Sequence, residues 1–267
     1  MKTMKTMKSL PVIKTPTYLG KIPSSGKSFE FRPFLTGEQK ILLIALESEN
    51  INNIYLAFRN IINTCVTSPI SSLISPEIIE RNGGGLENLP AFDVESIFLQ
   101  ITAKSAGEIS RVGAKCTSCE KNNIVEVNLN DIQLKNANKK KDNDKIMLTD
   151  SVGIKMRYPS MKSLFEKETA DNNEEAEEKN SENTQDLVQR TIRASIECIF
   201  DENEVYLLED TSQEEIDKFF DSLTMEQNEK IESFFDHSPY LASDVKFTCS
   251  HCGAKNSSEI KGLRNFF

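Results

Sequence analysis

Two cysteine pairs, Cys116/Cys119 and Cys249/Cys252, are the residues of this 267-residue chain whose types and spacing best support chemistry. Two residues separate the cysteines of each pair. The four residues before each pair begin with valine, and the four residues after it end in asparagine. A strand, a tight turn with two thiolates and a returning strand are typical of a zinc knuckle. Because tetrahedral Zn²⁺ prefers four soft ligands, we interpret both pairs as one site, closed across about 130 intervening residues.

Other readings of these cysteines stay open. The two pairs can be unrelated thiols of a reduced protein, because metal sites of this type usually place their pairs only about 15–20 residues apart. A thioredoxin-type redox site is disfavoured, since neither pair opens a helix within a βαβ unit. His251 lies inside the second pair and can compete as a ligand. A closed site of four cysteines leaves no position for water, which predicts a structural role.

Composition argues against an enzyme. The chain has only two histidines, His237 and His251, and therefore few groups for acid–base chemistry near neutral pH. Neither a secretory signal nor an apolar run of membrane-spanning length is evident, so we expect a soluble chain in a reducing cytoplasm. The remaining cysteines, Cys65 and Cys198, lie in apolar surroundings and are expected to be buried core residues.

The net charge of −9 argues against a broad nucleic-acid-binding surface. Much of this charge is local, because residues 166–182 hold eight acidic side chains and two lysines. We interpret residues 166–185 as a disordered acidic loop, since so polar a stretch cannot bury enough surface to offset its ordering entropy. An acidic docking arm is the alternative.

The hydrophobic periodicity predicts an α+β protein with a helical N-terminal part, an antiparallel zinc-ribbon-like β part with the two knuckles, and a helical segment inserted between them. We divide the chain into a disordered or extended arm (1–30), a helical domain (31–107), β hairpins with the first knuckle (108–165), the acidic loop (166–185), a helical insertion (186–240), and the second knuckle with a C-terminal tail (241–267).

Capping patterns place the starts of several helices. Thr36 with Gln39, Asp93, Ser212 with Glu215, and Thr224 with Gln227 are each predicted to begin one. Another helix is predicted from Leu187 to Phe200.

Two predicted helices between residues 36 and 65 carry many apolar side chains, and we expect them to form a hairpin. Packing into the domain core is the favoured interpretation of their apolar side chains, and a partner-binding surface is the alternative. The same two readings apply to four phenylalanines on the last two predicted helices, which are Phe219, Phe220, Phe234 and Phe235.

Three stretches resemble the T4-type bacteriophage baseplate hub assembly proteins. The first is Phe31-Arg-Pro-Phe-Leu-Thr-Gly-Glu-Gln-Lys-Ile-Leu-Leu-Ile-Ala-Leu-Glu-Ser48. The second is Phe92-Asp-Val-Glu-Ser-Ile-Phe-Leu-Gln-Ile-Thr-Ala-Lys-Ser-Ala-Gly-Glu108, and the third is Gly153-Ile-Lys-Met-Arg-Tyr-Pro159. Together with the first cysteine pair, they extend the likeness over most of residues 31–267.

The resemblance implies a late viral protein that helps to assemble the central hub of a contractile-tail baseplate, as a chaperone or scaffold. Hub proteins or the tape-measure protein would be its partners, in the host cytoplasm during assembly or in the virion baseplate. The family offers no catalytic residues to carry over. The alternative function is a zinc-ribbon regulator of phage or host transcription, and for it the flanks of the knuckles are only modestly basic, with Arg111, Lys115, Lys121, Lys246 and Lys255.

Overall fold

The computed structural model describes residues 13–48, 50–74, 76, 79, 84–136, 144–165 and 184–262. Its helices are α1 (Thr36–Glu47), α2 (Ile51–Cys65), α3 (Ile70–Leu73), α4 (Ala91–Ser105), α5 (Met161–Phe165), α6 (Thr184–Ala194), α7 (Gln213–Asp221) and α8 (Met225–Asp236). Its strands are β1 (Tyr18–Lys21), β2 (Ser28–Phe31), β3 (Ile109–Lys115), β4 (Asn122–Asn128), β5 (Gln133–Lys135), β6 (Lys145–Met147), β7 (Gly153–Met156), β8 (Ile196–Phe200), β9 (Val205–Leu207), β10 (Tyr240–Thr248) and β11 (Lys255–Lys261).

The predicted α+β class is confirmed, and the described strands pair antiparallel throughout. Three small groups of strands, β1-β2, β3-β4 and β11-β10-β5, accompany the N-terminal helices, and a four-stranded sheet has the order β6-β7-β8-β9. The long strand β10 belongs to two pairings at once, because Ala242 lies opposite both Lys261 of β11 and Gln133 of β5. It therefore joins the second cysteine hairpin to the rest of the fold.

The larger core surrounds α4. This helix buries side chains on nearly every side, among them Val94, Ile97, Phe98 and Ile101. The same cluster of buried residues includes Val112 and Val127 from β3 and β4, and Leu241, Val245 and Ile260 from β10 and β11. Both cysteine hairpins are thus held by one apolar core.

A smaller core lies between the four-stranded sheet and helices α6 to α8. It is built from Leu148, Ile154, Met156, Ile192, Ile196 and Ile231. Phe219, Phe220, Phe234 and Phe235 are partly buried against it, which supports the core interpretation of these side chains. Tyr158 links this region to the larger core, because its ring lies 5.4 Å from Phe92 and 5.5 Å from Phe234.

Two predicted caps are confirmed and two are wrong. Ser212 and Thr224 accept hydrogen bonds from the backbone N–H groups of Glu215 and Gln227. Helix α1 instead has Leu35 at its N-cap, and Glu38 accepts the Leu35 N–H at 2.6 Å while it pairs with Arg32 at 2.7 Å. Glu38, held by a cation, therefore supplies the capping interaction that we assigned to Thr36 and Gln39.

Asp93 does not cap α4, which starts two residues earlier with Pro90 at its N-cap. Its carboxylate is fully buried and accepts the Ser24 N–H at 3.0 Å and the Ser24 hydroxyl at 2.5 Å. Gln100, two turns further along α4, bonds to both backbone groups of Lys21. The described part of the predicted arm is accordingly a β1-β2 hairpin attached to α4, because these polar contacts add to the burial of Ile22 and Phe29.

The helix predicted from Leu187 to Phe200 is wrong at its C-terminal end. Helix α6 stops at Ala194, and Ile196–Phe200 is strand β8, paired with β7 and β9. Pairing in the sheet outweighs the helical periodicity here, and the segment predicted as a helical insertion therefore also contains β8 and β9. Residues 1–12, 137–143, 166–183 and 263–267 lie outside the described residues, and they include all of the predicted acidic loop except Thr184 and Gln185, which begin α6. The six-part division of the chain stays a prediction.

The Asp93 contact has a pH-dependent consequence. Burial raises the pKa of Asp93 more than the Ser24 hydrogen bonds lower it, so the folded state binds a proton more readily than the unfolded state does. The stability of the wild type relative to Asp93→Asn should therefore be greatest below the unfolded pKa of about 3.9 and fall as pH rises through the raised folded pKa.

Urea unfolding of the wild type and of Asp93→Asn across this pH range measures the difference between their free energies of unfolding. The contributions of the other titrating groups cancel in this difference because both proteins share them. A difference that stayed constant, or that grew in favour of the wild type at higher pH, would contradict the assignment.

Candidate metal centre

The structure brings the two cysteine pairs together at the tips of two equivalent hairpins. In the first, β3 pairs with β4 up to the Lys115–Asn122 pair, and in the second β10 pairs with β11 up to Thr248–Lys255. Each turn is closed in the same way, because the N–H of the first cysteine donates to the carbonyl five residues later at 2.9 Å. The predicted hairpins, with cysteines at their tips, are confirmed.

The four sulfur atoms form a compact cluster. The Sγ atoms of Cys116 and Cys252 lie 3.7 Å apart, those of Cys119 and Cys249 lie 3.6 Å apart, and all four lie within 4.8 Å of one another. A disulfide would need about 2.05 Å. Four sulfurs around one ion at about 2.3 Å would be about 3.8 Å apart at the edges of a tetrahedron. The residues therefore fit a single tetrahedral metal ion.

Both hairpin turns require a left-handed backbone conformation directly after the second cysteine. Gly253 supplies it in the second turn with a φ of 74°, and Glu120 adopts it in the first with a φ of 60°. A side chain at such a φ is unfavourable, so the first turn is the more strained of the two. The Glu120 carboxylate lies 3.3 Å from the Lys115 ammonium across the turn.

Two buried asparagines cross between the hairpins, one from each. Asn123 follows the first pair, and its Oδ1 accepts the N–H and the hydroxyl of Ser250 in the second turn at 2.9 and 3.0 Å. Asn256 follows the second pair, and its Oδ1 accepts the N–H and the hydroxyl of Thr117 at 2.9 Å each. Each amide thus ties its own hairpin to the opposite turn.

The same amides also reach the sulfurs. Asn123 Nδ2 lies 3.6 Å from Cys249 Sγ, and Asn256 Nδ2 lies 3.5 Å from Cys116 Sγ. Backbone N–H groups of Ser118 and His251 donate to the same two sulfurs at 3.4 Å. Such contacts orient metal ligands and favour the thiolate, which is the form that binds metal.

These donors set the acidity of the thiols. The backbone N–H of Cys119 is the main cause that lowers the pKa of Cys116. Burial raises the pKa of Cys249, but the N–H groups of His251 and Cys252 and the Asn123 amide together outweigh it and lower that pKa to about 6. The Ala254 N–H lowers the pKa of Cys252, yet the nearby Cys119 and Cys249 thiols raise it to about 12. Four adjacent thiolates repel one another, and a bound cation would remove that repulsion.

Sequence reasoning identified the cysteines but missed Asn123 and Asn256. The signal is present, since each pair reads Cys, a hydroxyl residue, any residue, Cys, and then Asn four positions later. His251, the competing ligand, is exposed and contributes its backbone N–H to Cys249. Cys65 and Cys198 are buried outside the cluster, as expected.

The basic flank of the first turn is partly neutralised. Arg111 pairs with Glu126 and Lys115 pairs with Glu120, both at 3.3 Å. This weakens the case for nucleic-acid binding through the knuckles. Among the described residues, no helix combines the length and the apolar character that crossing a bilayer requires.

Fold and site together define an α+β protein whose two hairpins present four cysteines arranged to bind one metal ion. A protein-family model described as T4 bacteriophage base plate protein matches residues 15–267, and the chain belongs to this family. Membership gives it a structural or assembly role in the phage baseplate, together with other baseplate components. No curated protein and no solved structure matches it significantly.

The crossed amides should contribute to stability more than their neighbours. Replacing Asn123 or Asn256 with Ala removes two hydrogen bonds to the opposite turn and the amide contact with a cysteine sulfur, at a cost of about 2 kcal/mol in the free energy of unfolding. The matched control is Asn122→Ala, at an exposed position beside Asn123. It should change the free energy of unfolding by less than about 0.5 kcal/mol. Denaturant unfolding of the three variants measures this, and equal effects at Asn122 and Asn123 would refute the role of the crossing.

Proposed function

We propose that this protein assists assembly of the central hub of the phage baseplate, as a chaperone or scaffold without catalytic activity, and that a structural Zn²⁺ closes its cysteine cluster. The observation that carries the proposal is the family match over nearly the whole chain. The partners would be hub proteins or the tape-measure protein, and they would be met in the host cytoplasm.

The sulfur geometry supports a structural metal. Four cysteines from two hairpins would fill the tetrahedron and leave no position for water or substrate, as in structural zinc sites. Four thiolates suit Zn²⁺ or iron among the common metals. A zinc-ribbon-like arrangement of the two hairpins follows from this assignment. Cys116, Cys119, Cys249 and Cys252 would be the ligands.

Zinc binding should be coupled to folding. Protein purified without added metal should contain about one zinc ion per chain, as measured by inductively coupled plasma mass spectrometry. Cys116→Ser and Cys249→Ser should each lose it and melt roughly 10 °C or more below the wild type. Cys198→Ala is the control, because Cys198 is buried outside the cluster, and it should keep the metal.

The metal assignment has two ways to fail. Serine variants that keep the metal and melt like the wild type would exclude a shared site. Iron in place of zinc would retain the site and overturn the metal identity.

The assembly role requires a test in infected cells. A phage with a stop codon in this gene should accumulate tails or baseplates that lack a complete hub, visible by electron microscopy. A tagged copy should restore them and enrich hub or tape-measure proteins in a pull-down.

Mass spectrometry of purified virions then separates a chaperone, which is absent, from a baseplate component, which is present. Normal hubs without the protein would refute the role. Enrichment of polymerase subunits would favour the transcription regulator instead.

A further inference from the structure

Helix α1 exposes far more apolar surface than a surface helix normally does. Only Leu42 and Ala45 are buried, while Ile41, Leu43 and Ile44 are 57%, 50% and 56% exposed. Leu35 before the helix and Leu46 near its end are also exposed. A helix that is apolar on nearly all sides is normally buried. In the described part of the chain, α1 is covered on one side only.

The exposed apolar side chains are spread around more than half of the circumference of α1, because successive residues are rotated by about 100°. Leu43 and Ile44 share the face opposite the buried Leu42 and Ala45. A standard protein interface buries about 800 Å² on each partner, a little over half of it apolar. Leu43 and Ile44 can supply the apolar centre of such an interface, and its remaining area would come from the residues around them.

The arrangement of charges indicates what covers it. One stripe along α1 begins at Lys40 and continues with the residues three, four and seven positions later, which are Leu43, Ile44 and Glu47. We call it the α1 stripe. The stripe has opposite charges at its two ends and two apolar residues between them. Both charged residues are exposed, and no ion pair joins either of them to another described residue.

Such a stripe is complementary to itself in the antiparallel direction. If two copies of α1 cross at the midpoint between Leu43 and Ile44, Lys40 of each copy lies opposite Glu47 of the other. The two charges lie about 10.5 Å apart along the helix, so both ion pairs can form at once. Leu43 and Ile44 of both copies then form the apolar centre of the contact. A two-fold interface requires this reciprocity.

We propose that the protein forms a homodimer through an antiparallel contact between the α1 stripes of two copies. The occupant of the exposed surface is a second copy of this chain, and the opposed charges fix the direction and register of the pair. The contact is independent of the metal cluster and of the hub partners, so the dimer can be tested on the purified protein alone.

Sedimentation of the wild-type protein at micromolar concentration should show a dimer. Ile44→Asp, which places a charge at the centre of the contact in both copies, should weaken dimerisation by about 100-fold or more. Because Ile44 is exposed, the substitution should leave the circular dichroism and the melting temperature of the monomer unchanged. The control is Met225→Asp at an exposed position of α8, which should remain dimeric.

Charge reversal tests the register. Lys40→Glu and Glu47→Lys should each weaken the homodimer by about 10-fold, since both place like charges opposite each other. A one-to-one mixture of the two variants should recover wild-type affinity as a heterodimer, because opposite charges then face each other at both ends.

A wild-type monomer, a dimer insensitive to Ile44→Asp, or a mixture no stronger than its components would overturn the proposal. Loss of hub partners from the Ile44→Asp variant in infected cells, with the purified wild type monomeric, would assign the surface to another baseplate protein.

Discussion

The joining of two hairpins that lie about 130 residues apart in sequence is the constraint on which this structure depends. Polar and sulfur contacts join the tips of these hairpins. Each tip supplies two sulfurs, and each sends one asparagine across to the other. These amides are buried and accept two hydrogen bonds apiece, so separating the hairpins would break four hydrogen bonds between them. The cluster is thus pre-shaped by the protein as well as by any metal that it binds.

The rest of the fold positions this joint. Helix α4 provides one apolar core for both hairpins, and β10 extends from the second cysteine turn to its pairing with β5. The smaller core of the four-stranded sheet and its helices is connected through Tyr158, whose ring contacts residues of both regions. This arrangement leaves α1 at the periphery, where its apolar residues do little for the core. Internal stability and contact with other molecules are therefore served by different elements.

How much the sequence revealed depended on whether the signal was local. Paired cysteines with matching flanks predicted the hairpins, and the caps at Ser212 and Thr224 were correct because a cap involves only four consecutive residues. The caps predicted at Asp93 and at Thr36 with Gln39 were wrong because the Asp93 carboxylate binds Ser24, far away in sequence, and because Glu38, paired with Arg32, takes the capping role at α1. The end of α6 was missed because β8 owes its conformation to strands on either side of it. Asn123 and Asn256 escaped notice because their importance arises only when the two turns meet.

The order of the hairpins along the chain affects when the protein can mature. The first turn leaves the ribosome complete, yet its ligands have only each other until residues 249–252 are made. At about 5–20 residues per second, that delay amounts to roughly 7 to 27 seconds. During synthesis, Cys116 and Cys119 are consequently an incomplete site, exposed to stray metal and to oxidation. A chain that stops before Cys252 could not close the cluster, so closure reports that synthesis has passed residue 252.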